Sequence, residues 1–326
     1  MASSETYTQY LKPTEKELLE VQAGYEELEK LLKSSRYHEG GFYILNGNKV
    51  FSINEYQDIR QHKILLEADK HIELGAIEVS LSKECYRDIG KKSKPDKVYG
   101  RKQILESSYR EDFNRGHLIA ESLIKYCTDF DYYKRENFVM ITNWCNRATA
   151  CNHKHIACGM LFFEQILLDS LEDGVDICYR VTPVFKKLDV SDDEEVEQSF
   201  EYLPRGIIME AIVTNGKAFT GQNVERLGKK FEKSFNVFIP NAQRGLVIVY
   251  RTGEIGLNDN SVTLKELCQT KGFNIKELGE AVGVSPRTIH RWDKDIANVP
   301  FRNVVSLAKA LDMSVDELAE LLLSDC

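Results

Sequence analysis

Apolar side chains recur at helical spacing in several segments of the first half of the chain. In residues 14–33, leucines stand three or four positions apart with Glu and Lys between them, a pattern that predicts one amphipathic helix. We interpret it as a helix that packs at the edge of a domain, and binding to a partner protein is the alternative. The same periodicity predicts helices over residues 54–75, 118–126 and 159–171.

Strands are predicted where apolar, β-rich runs are bounded by Gly, Pro and Asn. Four such runs cover residues 179–185, 206–213, 235–240 and 246–251. Residues 41–51 are expected to form a hairpin around an Asn-Gly turn. Helices and strands together predict a mixed α+β domain in the middle of the chain.

The pattern becomes entirely helical towards the end of the chain, in five short pieces separated by tight breaks. This segment of about 65 residues is large enough to fold as a separate domain. We therefore expect a helical extension over residues 1–40, an α+β domain over 41–258 and a helical domain over 262–326.

Composition and charge add little at the level of the whole chain. The 326 residues carry a formal net charge of −8, so total charge gives no indication of nucleic-acid binding. No apolar run approaches the ~20 residues of a membrane span, and the chain does not begin with a basic and then apolar segment, so we expect a cytoplasmic protein without membrane association. Eight cysteines in a chain of this length are expected to be reduced.

The charges are unevenly distributed. Residues 87–154 contain 14 basic and 9 acidic side chains, whereas residues 189–201 contain seven acidic side chains and no basic one. The acidic run is expected to be a solvated insert. A basic central surface is compatible with a polyanionic ligand.

The helical domain contains a helix, a short turn and a second helix. Ser285 is suited to cap the second helix, and Pro286 occupies its first position, where proline is tolerated. This is helix-turn-helix geometry, in which the second helix can enter the major groove of DNA. Arg287, His290 and Arg291 are predicted to project from that helix.

Residues 264–323 resemble the Cro/phage-repressor type of helix-turn-helix domain. The motifs that carry the resemblance are Glu277-Leu278-Gly279, Gly283-Val284-Ser285, Thr288-Ile289-His290-Arg291-Trp292 and Leu307-Ala308-Lys309-Ala310-Leu311. The family often has a DNA-contacting Gln where this chain has Ile275, and residues 262–326 hold 8 basic and 10 acidic side chains. Specific DNA binding is the first interpretation and protein interaction is the alternative.

A second group of polar residues lies in the middle of the chain. Asn114-Arg115-Gly116-His117 is followed by Asn137 after 20 residues, by Asn146 after nine more and by Glu164 after a further 18. A divalent ion for phosphodiester cleavage needs hard oxygen ligands. The reaction also needs a base near pH 7, which histidine supplies.

This segment resembles the ββα-metal, DNA/RNA non-specific endonucleases, and is most similar to the DNA-entry nucleases of competent bacteria. The family motif is Asp/Asn-Arg-Gly-His, followed by Thr-x-Trp-x-Asn-Gln-Ala and a helix that carries Glu. The matching blocks here are residues 114–117, 142–148 and 159–164, and later strands extend the resemblance over about residues 99–257. The resemblance implies an antiparallel sheet and a ββα-metal core.

The resemblance also implies roles for individual residues. His117 would be the general base, Asn146 the ligand of Mg²⁺ (or of Mn²⁺), and Glu164 the group that orients metal-bound water. Asn137 would position groups around His117, and Arg115 would hold phosphate or the local fold. Further candidates for phosphate contact are Arg101, Lys102 and Arg147. The products would carry 5′-phosphates.

Two points about the metal remain open at this stage. Asn143 and Asn152 are also nine residues apart, and it is Thr142 and Trp144 that favour Asn146 as the ligand. A continuous helix from Asn146 would place Glu164 on the same face about five turns later. A structural Zn²⁺ bound by cysteines and histidines is the less favoured hypothesis, because their spacing fits no zinc pattern; these residues are Cys145, Cys151, His153, His155 and Cys158.

The sequence thus predicts a metal-dependent endonuclease that acts on DNA, with RNA as a second candidate substrate. A DNA-binding regulator with an inactive nuclease-like domain is the alternative. In a third hypothesis the helical domain serves dimerisation or docking of an inhibitor. The candidate partners are therefore nucleic acid, a second copy of the chain in a homodimer, and an inhibitor or regulatory protein. A role in defence follows only from the need to restrain such an enzyme in the cytoplasm.

Overall fold

The computed structural model describes most of the chain. The described residues are 12–50, 61–65, 71–88, 98–127, 130–148, 157–188, 200–257, 264–271, 273–294 and 299–322. Most of the acidic run and three of the zinc candidates, Cys151, His153 and His155, lie outside these ranges.

Strands and helices alternate through the first 257 residues, and helices follow. The strands are β1 (Arg36–His38), β2 (Phe42–Ile44), β3 (Gln61–Leu65), β4 (His71–Gly75), β5 (Ile77–Leu81), β6 (Phe113–His117), β7 (Phe138–Thr142), β8 (Ile177–Val184), β9 (Gly206–Val213), β10 (Ser234–Pro240), β11 (Leu246–Val249) and β12 (Glu254–Leu257). The α-helices are α1 (Glu15–Gln22), α2 (Glu26–Lys33), α3 (Arg101–Glu106), α4 (Glu121–Ile124), α5 (Asn143–Arg147), α6 (Met160–Glu172), α7 (Gln222–Leu227), α8 (Leu264–Thr270), α9 (Ile275–Val282), α10 (Pro286–Lys294), α11 (Phe301–Ala310) and α12 (Val315–Leu322).

Six of the described strands form an antiparallel sheet in the order β1-β2-β10-β9-β8-β5, and the other six form the two-stranded ribbons β3-β4, β6-β7 and β11-β12. Its long central strands are rich in Ile, Val and Phe, which suit a pleated surface that is buried on both faces. Gly206 stands where a Cβ atom would lie 2.3 Å from the ring of Phe238. The strands predicted at 179–185, 206–213, 235–240 and 246–251 are confirmed, and with them the α+β fold and its antiparallel sheet.

Helix α6 packs on the sheet through a broad apolar face that includes Phe162, Phe163 and Ile166. The helix predicted over 159–171 is therefore confirmed. Between 118 and 126 only α4 is α-helical, so that prediction was too long by several residues.

The single helix predicted over residues 14–33 is wrong in its length. The chain turns at Gly24, which has a φ of 67°, and two helices result, α1 and α2. The Tyr25 hydroxyl donates to the carbonyl oxygen of Phe185 at 3.1 Å, and Leu28 is fully buried. The packing interpretation of this segment is confirmed.

Two further predictions in the N-terminal part are wrong. The described parts of residues 54–75 form the β3–β4 hairpin instead of a helix. The hairpin at 41–51 is also misplaced, because β2 pairs with β1 and β10, and the turn falls at Gly41. The Asn46-Gly47 pair does form a turn, and it leads to Asn48, whose side-chain oxygen accepts from Asn236 N–H at 2.9 Å.

The acidic run predicted to be solvated ends earlier than residue 201. Glu201 is buried, and its carboxylate receives two hydrogen bonds from Arg205, at 2.6 and 2.7 Å. The guanidinium of Arg205 also lies 4.4 Å from the ring centroid of Tyr250. Glu201 is therefore part of the core, where a paired and hydrogen-bonded charge is tolerated.

Helices α8 to α12 enclose a buried cluster of their own. Leu267, Leu278, Ile289, Leu307 and Leu311 lie at its centre. The Oγ of Ser285 accepts from Thr288 N–H at 3.2 Å, as expected for the predicted cap. Among the described residues, no helix combines the length and the apolar composition that a membrane span requires.

Candidate active site

Strands β6 and β7 form a two-stranded antiparallel ribbon, and α5 follows β7 directly. His117 is the last residue of β6 and lies opposite Phe138. Gly116 lies under the side chain of Ile141, where a Cβ atom would come within 2.3 Å of Cδ1. The glycine of the Asn-Arg-Gly-His motif thus allows Ile141 to pack on the strand beside the histidine.

His117 and Glu164 lie close together, although they come from a strand and a helix 47 residues apart. The distance from His117 Nε2 to Glu164 Oε1 is 3.9 Å, beyond a direct hydrogen bond. The histidine side chain is 23% exposed and the glutamate side chain 6%. The histidine therefore reaches solvent, while the carboxylate lies beneath the surface.

Glu164 is electrostatically unusual. Burial raises the pKa of its carboxyl group to about 8. Its Oε1 is fully buried and has no hydrogen-bond partner among the described residues. A buried carboxylate of this kind is favourable only when a cation or a proton lies near it.

Asn137 is fully buried and acts on the backbone that follows His117. Its side chain accepts from Ile119 N–H at 2.8 Å and donates to the carbonyl oxygens of Ile119 and Tyr132. Three hydrogen bonds from one amide fix the exit of the chain from β6. Asn137 thus contacts the backbone of Ile119, two residues after His117.

Asn146 lies on α5, a helix of five residues that packs against β6, β7 and α6. The helix ends at Arg147 and α6 begins at Met160, so Asn146 and Glu164 lie on separate helices and the condition of a continuous helix is not met. The two helices meet instead through a hydrogen bond of 2.7 Å from Gly159 N–H to the carbonyl oxygen of Ala148.

Several residues that hold α5 were not found from the sequence. The side chain of Asn114 donates to Asn143, which in turn donates to the carbonyl oxygen of Glu111 at 2.9 Å. Asn241 accepts from Thr142 N–H at 2.8 Å, and Gln243 accepts from Trp144 N–H at 3.1 Å. Asn241 and Gln243 lie about 100 residues from α5 in the chain, and nothing in the local sequence indicates their contacts.

The donor set suits a hard divalent cation that keeps most of its water. Asn146 is half-buried and carries an amide oxygen suited to such a cation, and the unpartnered Oε1 of Glu164 can accept a hydrogen bond from cation-bound water. The described residues contain no group of three or more His, Cys, Asp and Glu side chains that could hold a metal ion. Of the zinc candidates in the described ranges, Cys145 and Cys158 are both buried.

The other predicted phosphate contacts lie on three different elements. Arg115 is half-buried and shares a face of β6 with His117, since alternate residues of a strand point the same way. Arg147 is exposed at the end of α5. Arg101 and the exposed Lys102 begin α3, which packs near β12.

In the helical domain, Arg287, His290 and Arg291 are all exposed on α10, whereas Ile289 and Trp292 face the core. Ile275, at the position where the related domains often have Gln, is half-buried and packs against the same core. The second helix of the motif thus presents its basic face outward, as predicted.

Comparison with known proteins gives a family match and several similar solved structures. The family model described as helix-turn-helix matches residues 264–318. These residues form a helix-turn-helix domain. The match covers all of α8 to α11 and the beginning of α12.

The chain is also similar to solved structures of low sequence identity. NucA from Streptococcus agalactiae with no metal bound has 18% identity and a TM-score of 0.48, over 74% of this chain and all of that one. The same protein with magnesium bound has 19% identity and a TM-score of 0.48, over 73% of this chain and all of that one. Sda1 nuclease with bound zinc has 16% identity and a TM-score of 0.37, over 68% of this chain and 98% of that one.

In the presence of chelator, the stability of Glu164→Gln relative to wild type is expected to increase as the pH rises from about 5 to 8. The folded-state pKa of Glu164, raised to about 8, exceeds the ~4.3 of an unfolded glutamate. The stability contributed by the protonated carboxyl is complete below the unfolded pKa and is lost as the pH rises to the folded pKa. Glutamine has no such loss, so the variant should gain more than ~1 kcal/mol in unfolding free energy relative to wild type.

Urea unfolding at pH 5 and at pH 8, in EDTA, measures this difference. Glu172→Gln is the matched control, because Glu172 lies on the same helix and is exposed. Equal pH dependence of the wild type and of Glu164→Gln would contradict the burial argument.

Proposed function

We propose that the chain is a metal-dependent endonuclease that hydrolyses phosphodiester bonds of DNA, with RNA as a second substrate to test. The observation that carries the proposal is the pairing of His117 with the buried Glu164 carboxylate across 3.9 Å, at the junction of β6, β7 and the two following helices. A base that reaches solvent beside a buried unpartnered carboxylate is the arrangement that activates water.

Both side chains can hold the attacking water. A water molecule can make hydrogen bonds of about 2.8 Å to His117 Nε2 and to Glu164 Oε1, since the two atoms are 3.9 Å apart. His117 Nε2 accepts the proton of this water as its oxygen attacks phosphorus. The P–O3′ bond then breaks and the leaving O3′ takes a proton from solvent water, which leaves a 5′-phosphate on one product and a 3′-hydroxyl on the other.

We propose that Asn146 binds a single Mg²⁺ or Mn²⁺ whose remaining ligands are water molecules, one of which Glu164 orients. When bound, this cation neutralises charge that develops on the phosphate and on the leaving oxygen. Asn137 keeps the backbone after His117 in place. Arg115, on the same face of β6, is suited to hold a phosphate oxygen.

The proposal is tested by incubating purified protein with plasmid DNA and with RNA, each with Mg²⁺, with Mn²⁺ and with chelator. We expect cleavage that requires metal and leaves 5′-phosphate ends. Binding of DNA without any cleavage would instead support a regulator with an inactive nuclease-like domain.

The helix-turn-helix domain is proposed to direct the nuclease to DNA. Replacing Arg287 and Arg291 by alanine should weaken DNA binding, by ~1–3 kcal/mol for each arginine that makes a good bidentate base contact. Both side chains are exposed on α10, the helix that can enter the major groove. Equilibrium binding to a selected DNA sequence, with Lys309→Ala on α11 as the control, measures this effect.

Truncation at Asn260 separates targeting from chemistry. Cleavage of non-specific DNA should persist in the truncated protein while DNA affinity falls, because the proposed catalytic residues all precede residue 165. Unchanged affinity would assign the domain to dimerisation or to binding an inhibitor protein. We propose a cytoplasmic location on the basis of composition, and fractionation of the host cell tests it.

A further inference from the structure

A buried loop after β10 contacts the first turn of α5 through three hydrogen bonds. Thr142 N–H donates to Asn241 Oδ1 at 2.8 Å, the Thr142 hydroxyl donates to the carbonyl oxygen of Ala242 at 3.0 Å, and Trp144 N–H donates to Gln243 Oε1 at 3.1 Å. The first N–H groups of a helix have no partners within the helix. Gln243 therefore supplies an acceptor for the Trp144 N–H, which has none within this five-residue helix, while the other two bonds hold the N-cap residue Thr142.

Gln243 also reaches the strand that carries His117. Its Nε2 donates to Asp112 Oδ1 at 2.6 Å, and Asp112 directly precedes β6. The side chain of Gln243 is buried, so neither of its hydrogen bonds is exchanged easily with water. One amide thus joins the beginning of β6 to the beginning of α5.

The residue type at position 243 follows from these two bonds. The Trp144 N–H requires an acceptor, and the Asp112 carboxylate requires a donor, so the side chain must carry both. Glutamine does so, whereas glutamate would place a second carboxylate against Asp112.

The loop itself is held from behind by the N-terminal part of the chain. Glu17 on α1 is buried, and its Oε1 accepts from Gly245 N–H at 2.6 Å. Asn241 Nδ2 donates to the carbonyl oxygen of Pro204 at 2.8 Å. These contacts fix the position of the loop, so that Gln243 can in turn fix the position of α5.

We propose that Gln243 is a positioning residue for the metal site: it sets Asn146 on α5 relative to His117 on β6. This inference rests on the proposed function, because it assigns to Gln243 a share in metal affinity. Because Gln243 is buried, this role acts through α5 and requires no contact with substrate. Loss of a side chain that orients a metal ligand typically costs ~10–100-fold in metal affinity.

The first measurement concerns the hydrogen bond itself. The chain has two tryptophans, Trp144 and Trp292, so selective ¹⁵N-tryptophan labelling gives two backbone amide signals. In Gln243→Ala, hydrogen exchange at Trp144 N–H should accelerate while Trp292, in the helical domain, stays unchanged and serves as an internal control.

The second measurement concerns the metal. Binding of Mn²⁺, followed by the electron paramagnetic resonance of the free ion, should weaken ~10-fold or more in Gln243→Ala. The Mg²⁺ concentration for half-maximal cleavage should rise by a similar factor, while kcat at saturating Mg²⁺ changes little. Gln222→Ala, at an exposed position on α7, is the matched control and should behave as wild type.

A rescue separates positioning from general damage. Gln243→Glu alone should weaken Mn²⁺ binding because of the carboxylate of Asp112. Adding Asp112→Asn restores the hydrogen bond with donor and acceptor exchanged, and Mn²⁺ affinity should return towards that of wild type. This pair also provides the test if Gln243→Ala does not fold.

The outcomes distinguish the inference from the proposed function. If wild type neither binds Mn²⁺ nor cleaves nucleic acid, the proposed function fails. If wild type does both, and Gln243→Ala or Gln243→Glu matches Gln222→Ala in Mn²⁺ affinity, the positioning role is overturned. Weak Mn²⁺ binding in Gln243→Glu that Asp112→Asn does not rescue overturns it as well.

Discussion

Replacing His117 by alanine is expected to lower the rate of nucleic-acid cleavage by ~10²–10⁴-fold, the usual contribution of a general base. The imidazole ends β6 and reaches solvent beside Glu164, with Nε2 and Oε1 3.9 Å apart. Imidazole is the side chain that usually accepts a proton near neutral pH. Single-turnover cleavage of a plasmid at saturating Mg²⁺ measures the loss.

The fold and nucleic-acid affinity should be nearly unchanged in this variant, because His117 ends β6 and its side chain reaches solvent. His290→Ala, on the surface of the helix-turn-helix domain, is the matched control for loss of an imidazole and should cleave non-specific DNA at the wild-type rate. Equal activity of His117→Ala and wild type would remove histidine from the mechanism.

The parts of the fold that the sequence predicted are those that local pattern alone specifies. β9 and β10 are rich in Ile, Val, Met and Phe, and α8 to α12 combine helical periodicity with strong caps such as Ser285. The failures lie where a local pattern is ambiguous or a long-range contact decides. Residues 61–65 and 71–75 have mixed polarity, and they pair as a hairpin although the spacing suggested a helix.

The residues of the candidate site also include some that the local sequence predicted and others that only long-range contacts reveal. The Asn-Arg-Gly-His motif placed His117, and the helix after residue 159 placed Glu164, because both are carried by regular elements with recognisable sequences. The supports of α5 were missed. Gln243 and Asn241 belong to a loop about 100 residues later, and a hydrogen bond to a backbone N–H leaves no periodic trace in the sequence.

Glu201 is a further example of what pattern cannot decide. Its six acidic neighbours between residues 189 and 197 suggested a solvated position. Arg205, which neutralises Glu201, lies only four residues later in the chain. Its guanidinium is held in place by hydrogen bonds to the carbonyl oxygens of Glu20 and Val21 at the end of α1. The environment of the charge is set by tertiary contacts.

Replacing Asn146 by alanine is expected to weaken metal binding by more than the ~10–100-fold that loss of an outer hydrogen-bond partner costs. The amide is the proposed protein ligand of a cation otherwise bound largely by water, so little remains to hold the ion once it is removed. Cleavage at a Mg²⁺ concentration that is just saturating for wild type should fall correspondingly, and raising the Mg²⁺ concentration should recover part of the activity. Titration with Mn²⁺ and the dependence of cleavage on Mg²⁺ measure the two effects.

The register of the sequence motif provides the matched control, because Asn143 and Asn152 have the same nine-residue spacing as Asn137 and Asn146. Asn143 is already engaged, since its side chain accepts from Asn114 and donates to the carbonyl oxygen of Glu111. Asn146, on the outer part of the same helix turn, is half-buried. Asn152→Ala should therefore retain wild-type affinity for Mn²⁺. Loss of affinity in Asn152→Ala, with Asn146→Ala unaffected, would show that the ligand is the later asparagine and that Gln243 supports a helix without a metal ligand.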